Sequence, residues 1–175
     1  MNFMDILKHR RSIRTYTGES IPEDKLNQVL EAGLLAFSGR NIKPWEFVVV
    51  RDKDMLKKLA VCRPHGSQML AGADAAIVVL ADENKTDVWT EDCSISMTQM
   101  HLMADHLGLG SCWIQGRLRP APEDGRMAED VLRDLLHFPE NIRLEAILSL
   151  GMADTHPAPR EVTEELRHKI HWDVY

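Results

Sequence analysis

The stretch AAIVVLAD, residues 75–82, constrains this chain more than any other. It is apolar at nearly every position. A strand with one wet face alternates apolar and polar residues, whereas an unbroken apolar run belongs to a strand covered on both faces. The chain must therefore place helices on both sides of a sheet. Residues 87–107 read as the longest helix, centred on Ile95, Met97, Met100, Leu102, Met103 and Leu107. Few charges fall in its middle, so it is expected to be buried. Residues 23–36 read as another, entered through Pro22 and Glu23, with Leu26, Val29, Leu30, Ala32, Leu34 and Leu35 apolar.

Shorter helical patterns lie at 1–10 (Met1, Phe3, Met4, Ile6, Leu7), 54–61, 67–71, 128–136 and 162–168. EFVVV (46–50), SCWIQ (111–115) and LEAILSLGM (144–152) read as strands. Gly108 and Gly110 end the long helix. There is no repeat and no linker, and 175 residues suit one domain, 1–175, that buries a core without disulfides or metals. Four or five strands set among helices give an α+β or α/β sandwich whose strand order the pattern leaves open.

Charge is distributed unevenly. The formal net charge is -6, which disfavours nucleic acid as a partner. Yet residues 1–17 hold Lys8, Arg10, Arg11 and Arg14 against one acid, Asp5, a local charge of +3. Such an island suits a small anion better than a polymer. Cys62, Cys93 and Cys112 are odd in number and widely spaced, as expected of reduced thiols. No apolar run is long enough to span a membrane, and Asp5 and Lys8 interrupt any leader-like segment. A cytoplasmic protein is expected.

Within RRSIR (10–14), guanidiniums can grip phosphate in two-pronged fashion and Ser12 adds a donor. The competing reading is a solvated basic turn. GLG at 108–110 follows a helix and precedes a strand, the reverse of a dinucleotide fingerprint, and no P-loop occurs. No metal site is expected. His101 and His106 are five apart and diverge around a helix, and His168 and His171 have no third ligand. Cys112 lies in an apolar strand and Cys93 beside Glu91 and Asp92, so neither is a promising nucleophile. In NIKPWEF (41–47), Trp45 can simply plug the core edge while Pro44 sets the turn.

Together these segments resemble the nitroreductase family of FMN-dependent oxidoreductases, over nearly the whole chain. RRSIRTY (10–16) looks like the family's flavin motif. FSGRNIKPWEFVVV (37–50) looks like its Pro-Ser-x-x-Asn-x-Gln-Pro-Trp segment, with Phe37 in place of Pro and Lys43 in place of Gln. LGLGSCWIQG (107–116) looks like its Gly-Leu-Gly-x-x-Trp segment, and LSLGMADTHPAPR (148–160) like its last strand and Pro-rich exit. The chain is short for the family and lacks its larger helical insertions, which help cover the substrate side.

The resemblance implies an α+β nitroreductase-like fold with a mostly antiparallel central sheet, in an intertwined homodimer with FMN at the subunit interface. It implies Arg10, Arg11, Ser12 and Arg160 on the phosphate and ribityl chain, and Arg14, with Gln68, at the pyrimidine edge. Ser38, Gly39 and Asn41 would come from the other subunit, and Ile114, Gln115 and Gly116 would line the ring near N5. NADH or NADPH would donate electrons to a nitroaromatic, quinone or similar acceptor by a ping-pong route. The chemistry then belongs to the cofactor, and no catalytic side chain is required. A guanidinium a few ångströms from the anionic reduced ring is worth about 4 kcal/mol at an effective dielectric of about 20, before desolvation. A non-catalytic flavin carrier or sensor, or a flavin-fragmenting or dehalogenating relative, remains open. Trp172, Val174 and Tyr175 are expected to pack on the partner subunit.

Overall fold

The computed structural model describes residues 2–123 and 125–175, so Met1 of the first helical pattern lies outside the described residues. The helices are α1 (Phe3–His9), α2 (Glu23–Leu34), α3 (Lys53–Ala60), α4 (Trp89–His106), α5 (Ala128–Leu136) and α6 (Glu164–Arg167). The strands are β1 (Trp45–Val50), β2 (Ala75–Asp82), β3 (Gly110–Gln115) and β4 (Ile142–Gly151). Two 3₁₀ turns, Gly39–Asn41 and Gln68–Gly72, complete the set, the second where a short helix was expected.

The sheet runs β1-β2-β4-β3, and every neighbouring pair is antiparallel. The α/β alternative is thereby removed: apolarity on both faces comes here from helices covering an antiparallel sheet. β2 lies inside it, with seven consecutive buried residues. Ile77 and Val79 face α2 and α4, packing against Val29, Met97 and Met100. Ala76, Val78 and Leu80 face α3 and α5, packing against Leu56, Leu59 and Leu132. Burying a Leu or Val side chain contributes about 1.5–3 kcal/mol, so this double facing accounts for much of the core.

Four strands form among the described residues. In place of a fifth, the segment after α1 lies along the β3 edge, through a parallel bridge between Ser12 and Ser111 and an Ile13 amide donating to the Ser111 carbonyl at 2.9 Å. Thr17 continues the path by donating to the Met152 carbonyl. Two glycines make this approach possible. A Cβ on Gly110 would stand 2.9 Å from an Ile13 methyl, and one on Gly151 would stand 2.5 Å from the Tyr16 ring. The basic motif is thus laid against the sheet.

At the other end of β3, the β2–β4 register shifts between Val79 and Leu80, which pair with Ala146 and Leu144 and leave Glu145 as a bulge. A bulge re-aims the residue it carries. The Glu145 carbonyl accepts from the Gly116 and Arg117 amides, at 3.2 and 2.9 Å, and so turns the chain out of β3.

Candidate functional site

Arg10 sits at the C-cap of α1, which aims its side chain across α4. Its guanidinium meets His101 Nε2 at 2.9 Å, and His101 Nδ1 lies 2.6 Å from Ser111 Oγ. A guanidinium can only donate, so Nε2 accepts and the ring proton resides on Nδ1, donated to Ser111. Burial, then the Arg10 charge, hold His101 down to about 4, so the ring is neutral near pH 7. This chain of two hydrogen bonds locks Arg10 to the sheet.

The surroundings of Arg10 are crowded with like charge. Burial first, then Arg160 and, more weakly, Arg11, lower its pKa against an opposing pull from Asp105. Arg160 reaches this end because the strap after β4 is tied to α1: its amide donates to the Lys8 carbonyl at 2.8 Å, and Lys8 Nζ pairs with Glu161 at 2.7 Å. Arg11 donates to the Ala158 carbonyl. Arg10, Arg11, Arg14 and Arg160 form no ion pair with any carboxylate among the described residues. Clustered positive charge without a counter-charge is costly unless an anion joins it.

The cluster borders a cavity of about 400 Å³, within the usual size of a ligand site. Arg10, Ser12 and His101 supply its polar wall, and Leu7, Leu102 and Trp113 its apolar one. From Trp113 in that wall, β3 leads to Gln115, two residues on, about 7 Å at strand rise. Trp113 and Gln115 lie on the same side of β3, and the Trp113 indole N–H donates to Gln115 Oε1 at 3.0 Å. Ile114 points the opposite way into the α3/α5 core, so only its backbone is on offer to a ligand. Gly116 is pressed against Leu144, which a Cβ would meet at 2.5 Å.

Gln68 forms no hydrogen bond with Arg14 among the described residues. Its amide closes its own loop, accepting from the Gly66 amide and donating to the Pro64 carbonyl. That loop touches the end of β3 through Arg63, which donates to the Gln115 carbonyl at 2.7 Å. Gln68 therefore belongs with the Gln115 end of the strand.

Ser38, Gly39 and Asn41 lie at the start of α4, where the Gly39 amide donates to Asp92 at 2.8 Å. Nine residues of helix, about 14 Å, separate Asp92 from His101. One chain thus does not bring this loop to its own arginine cluster. Arg40, Asn41 and Lys43 all adopt left-handed backbone (φ 53, 57 and 52), a costly concentration of the kind found at binding loops. Asp92 Oδ2 and Glu145 Oε2, both close to Cys93, are buried without a hydrogen-bond partner among the described residues. Burial raises the Glu145 pKa, as it does those of all three cysteines, with Glu145 and Asp92 adding to the effect at Cys93.

Sequence reasoning did not find His101, Ser111, Trp113 or the Glu145 bulge. A histidine in the apolar run of α4 was the only available signal for His101, and its partners are remote in the chain.

Known proteins resemble this chain in sequence and in fold. The family model described as "Nitroreductase family" matches residues 7–62 and 59–152. A protein of Archaeoglobus fulgidus, named as a candidate NADH dehydrogenase/NAD(P)H nitroreductase, is 39% identical over 171 residues, covering 93% of this chain and 94% of its own. The solved FMN-dependent nitroreductase of Clostridium difficile R20291 superposes with a TM-score of 0.95 at 39% identity, covering 99% of this chain and 100% of its own. A candidate nitroreductase from Desulfovibrio desulfuricans, solved in complex with FMN, gives a TM-score of 0.76 at 26% identity over 95% of each chain.

Proposed function

Because the chain belongs to the nitroreductase family, we propose that it is an FMN-dependent oxidoreductase that passes electrons from NADH or NADPH to a nitroaromatic, quinone or similar conjugated acceptor. The observation that carries this reading is the meeting of Arg10, Arg11 and Arg160, none in an ion pair among the described residues, at the end of α1 beside a cavity of about 400 Å³. A phosphate dianion supplies what they lack, and charge-assisted hydrogen bonds to it are about twice as strong as neutral ones.

Each residue then has a part. Arg10, Arg11 and Arg160 hold the phosphate, and Ser12 the start of the ribityl chain. Arg14, exposed and in no ion pair among the described residues, meets the pyrimidine edge and favours the anionic reduced form. Gln115 and the amides of Ile114 and Gly116 border the ring, with Gln68 nearby. The partner subunit's copies of the 38–41 loop close the other side. When bound, FMN supplies the two-electron chemistry, so the protein binds, orients and excludes water. Donor and acceptor use the same gap in turn, which gives ping-pong kinetics without an indispensable acid or base.

A homodimer supports this arrangement. Every residue from Asp154 to Tyr175 is exposed in the single chain, including Trp172 at 83% and Tyr175. A groove lined by Phe3, Ile6, Leu35, Leu102 and Met103 is also open. Together they make a surface that a second copy can cover. A cytoplasmic setting fits the three buried, unbridged cysteines, and no helix among the described residues is long and apolar enough to cross a membrane. The net charge of -6 leaves nucleic acid unsuited as a partner.

The test is to mix the FMN-loaded protein anaerobically with NADH or NADPH. The bound flavin should bleach with at least one of them and recover on adding a quinone. Persistent yellow with both donors favours a flavin carrier over an oxidoreductase.

A further inference from the structure

Three residues remote in sequence meet beside the arginine cavity. His9 ends α1, Asp105 lies in the last turn of α4, and His156 stands in the strap. His9 Nδ1 is 2.9 Å from one Asp105 oxygen, and His156 Nε2 is 3.3 Å from the other. The two imidazoles stack with centroids 3.9 Å apart and planes 13° apart. One ligand atom from each residue lies within 4.8 Å of the other two. They face a cavity of about 160 Å³, floored by Ile13, Leu109 and Gly110, which shares no lining residue with the arginine cavity.

The proton accounting at His156 is informative. Its Nδ1 lies 2.7 Å from the Pro157 carbonyl, which can only accept, so Nδ1 carries the proton. If the ring is neutral, His156 turns a bare Nε2 lone pair toward a carboxylate oxygen, acceptor against acceptor, beside an Asp105 side chain only 5% exposed. A second ring proton or a metal cation between them resolves the conflict. A histidine whose far nitrogen donates to a backbone carbonyl, and whose near nitrogen bares its lone pair toward other ligands, has the outer-shell arrangement of a metal-ligating imidazole.

We propose that His9, Asp105 and His156 bind one borderline divalent transition cation of the Zn²⁺ type, with its remaining positions open to water in the small cavity. Two imidazoles and one carboxylate select this class over Mg²⁺ and Ca²⁺, which take mainly oxygen ligands. At bond lengths of about 2.0–2.1 Å, tetrahedral ligand atoms stand about 3.3 Å apart. Because ring lone pairs lie in the ring planes, and nearly parallel planes 3.9 Å apart do not meet at one cation, the rings must tilt out of the stack as it enters. His9 and His156, with side chains 34% and 28% exposed, have room to tilt about a fixed Asp105. His9 releases its Nδ1 proton on binding if that nitrogen is the ligand. The cation would clamp the strap to α1 and α4 and so hold Arg160 beside Arg10. The site does not depend on the reading of the flavin cavity.

The test uses tag-free protein with its cofactor content as purified, washed with chelator and titrated with Zn²⁺, Co²⁺ and Mg²⁺. One Zn²⁺ or one Co²⁺ should bind per chain, Co²⁺ should gain visible ligand-field bands that Zn²⁺ abolishes, and Mg²⁺ should not compete. His156→Ala and His9→Ala, at partly exposed positions, should each weaken binding at least about 100-fold, beyond the usual outer-shell cost. His168→Ala, in the exposed tail, should bind as the parent does. Absence of saturable Zn²⁺ and Co²⁺ uptake, or an unchanged affinity in His156→Ala, overturns the proposal. Uptake by colourless protein would support it even if the flavin reading failed.

Discussion

A guanidinium has no lone pair to give, so the nitrogen it approaches must supply one. That rule makes His101 a neutral acceptor and a positioning residue for Arg10. Its pKa of about 4, against an ordinary 6.5, carries a pH signature. Between those values the unfolded chain binds a proton that the native ring, facing Arg10 and Ser111, refuses. Stability should therefore fall as pH drops from about 6.5 to about 4, by about 3 kcal/mol from this residue. Denaturant titrations across that window should show a shallower decline for His101→Gln than for the parent; identical slopes would remove the role. Arg10 and Arg14 should separate in function. Arg10→Ala should weaken FMN retention at least about tenfold, the scale of losing one charge-assisted hydrogen bond. Arg14→Ala should instead lower the flavin midpoint potential by tens of millivolts, about 30 mV being 1.4 kcal/mol for two electrons. Potentiometry and FMN titration on both variants check this, and an unmoved potential in Arg14→Ala contradicts it.

Elements were more legible in the sequence than sites, and the reasons are physical. AAIVVLAD specifies a doubly covered strand because both of its faces are apolar, and β2 spans those same residues. The pattern 128–136 gives α5 in full because its turns repeat apolar residues at helical spacing. The pattern 162–168 shrinks to α6, four residues, none of which is buried. The cluster RRSIR was legible as a basic island because like charges sit close in sequence. His101, Ser111, Asp105 and His156 were not, since their meaning arises only when α4, β3 and the strap meet. Gly151 is a further case, a small residue whose role depends on Tyr16 lying across it. Gly151→Ala would drive a methyl into the base of that ring, 2.5 Å away. It should cost about 1–3 kcal/mol in chemical denaturation and weaken FMN binding together, by displacing the RRSIRTY segment. Loss of stability with unchanged FMN affinity would mean that the segment does not hold the cofactor.

At the scale of the whole molecule, one chain is an incomplete object. Its 38–41 loop is separated from its own arginine cluster by much of α4, and its last segment lies wholly exposed. The sheet and helices explain the core, while the proposed second copy would cover the tail. Sedimentation should give twice the 19.9 kDa chain mass. Removing residues 169–175 should shift the equilibrium toward monomer and weaken FMN binding in parallel, because the apolar tail residues would no longer cover the partner. A truncated chain that sediments and binds FMN as the parent does would show that the tail packs elsewhere. The proposed clamp at His9, Asp105 and His156 lies where that exposed segment leaves the sheet. The account rests above all on three arginines, Arg10, Arg11 and Arg160, gripping a phosphate, and riboflavin is FMN without one. Titrating cofactor-free protein with both should give at least about 100-fold tighter binding of FMN, the equivalent of about 3 kcal/mol of charge-assisted hydrogen bonding, with most of that margin lost in Arg10→Ala. Equal affinities for FMN and riboflavin would contradict it.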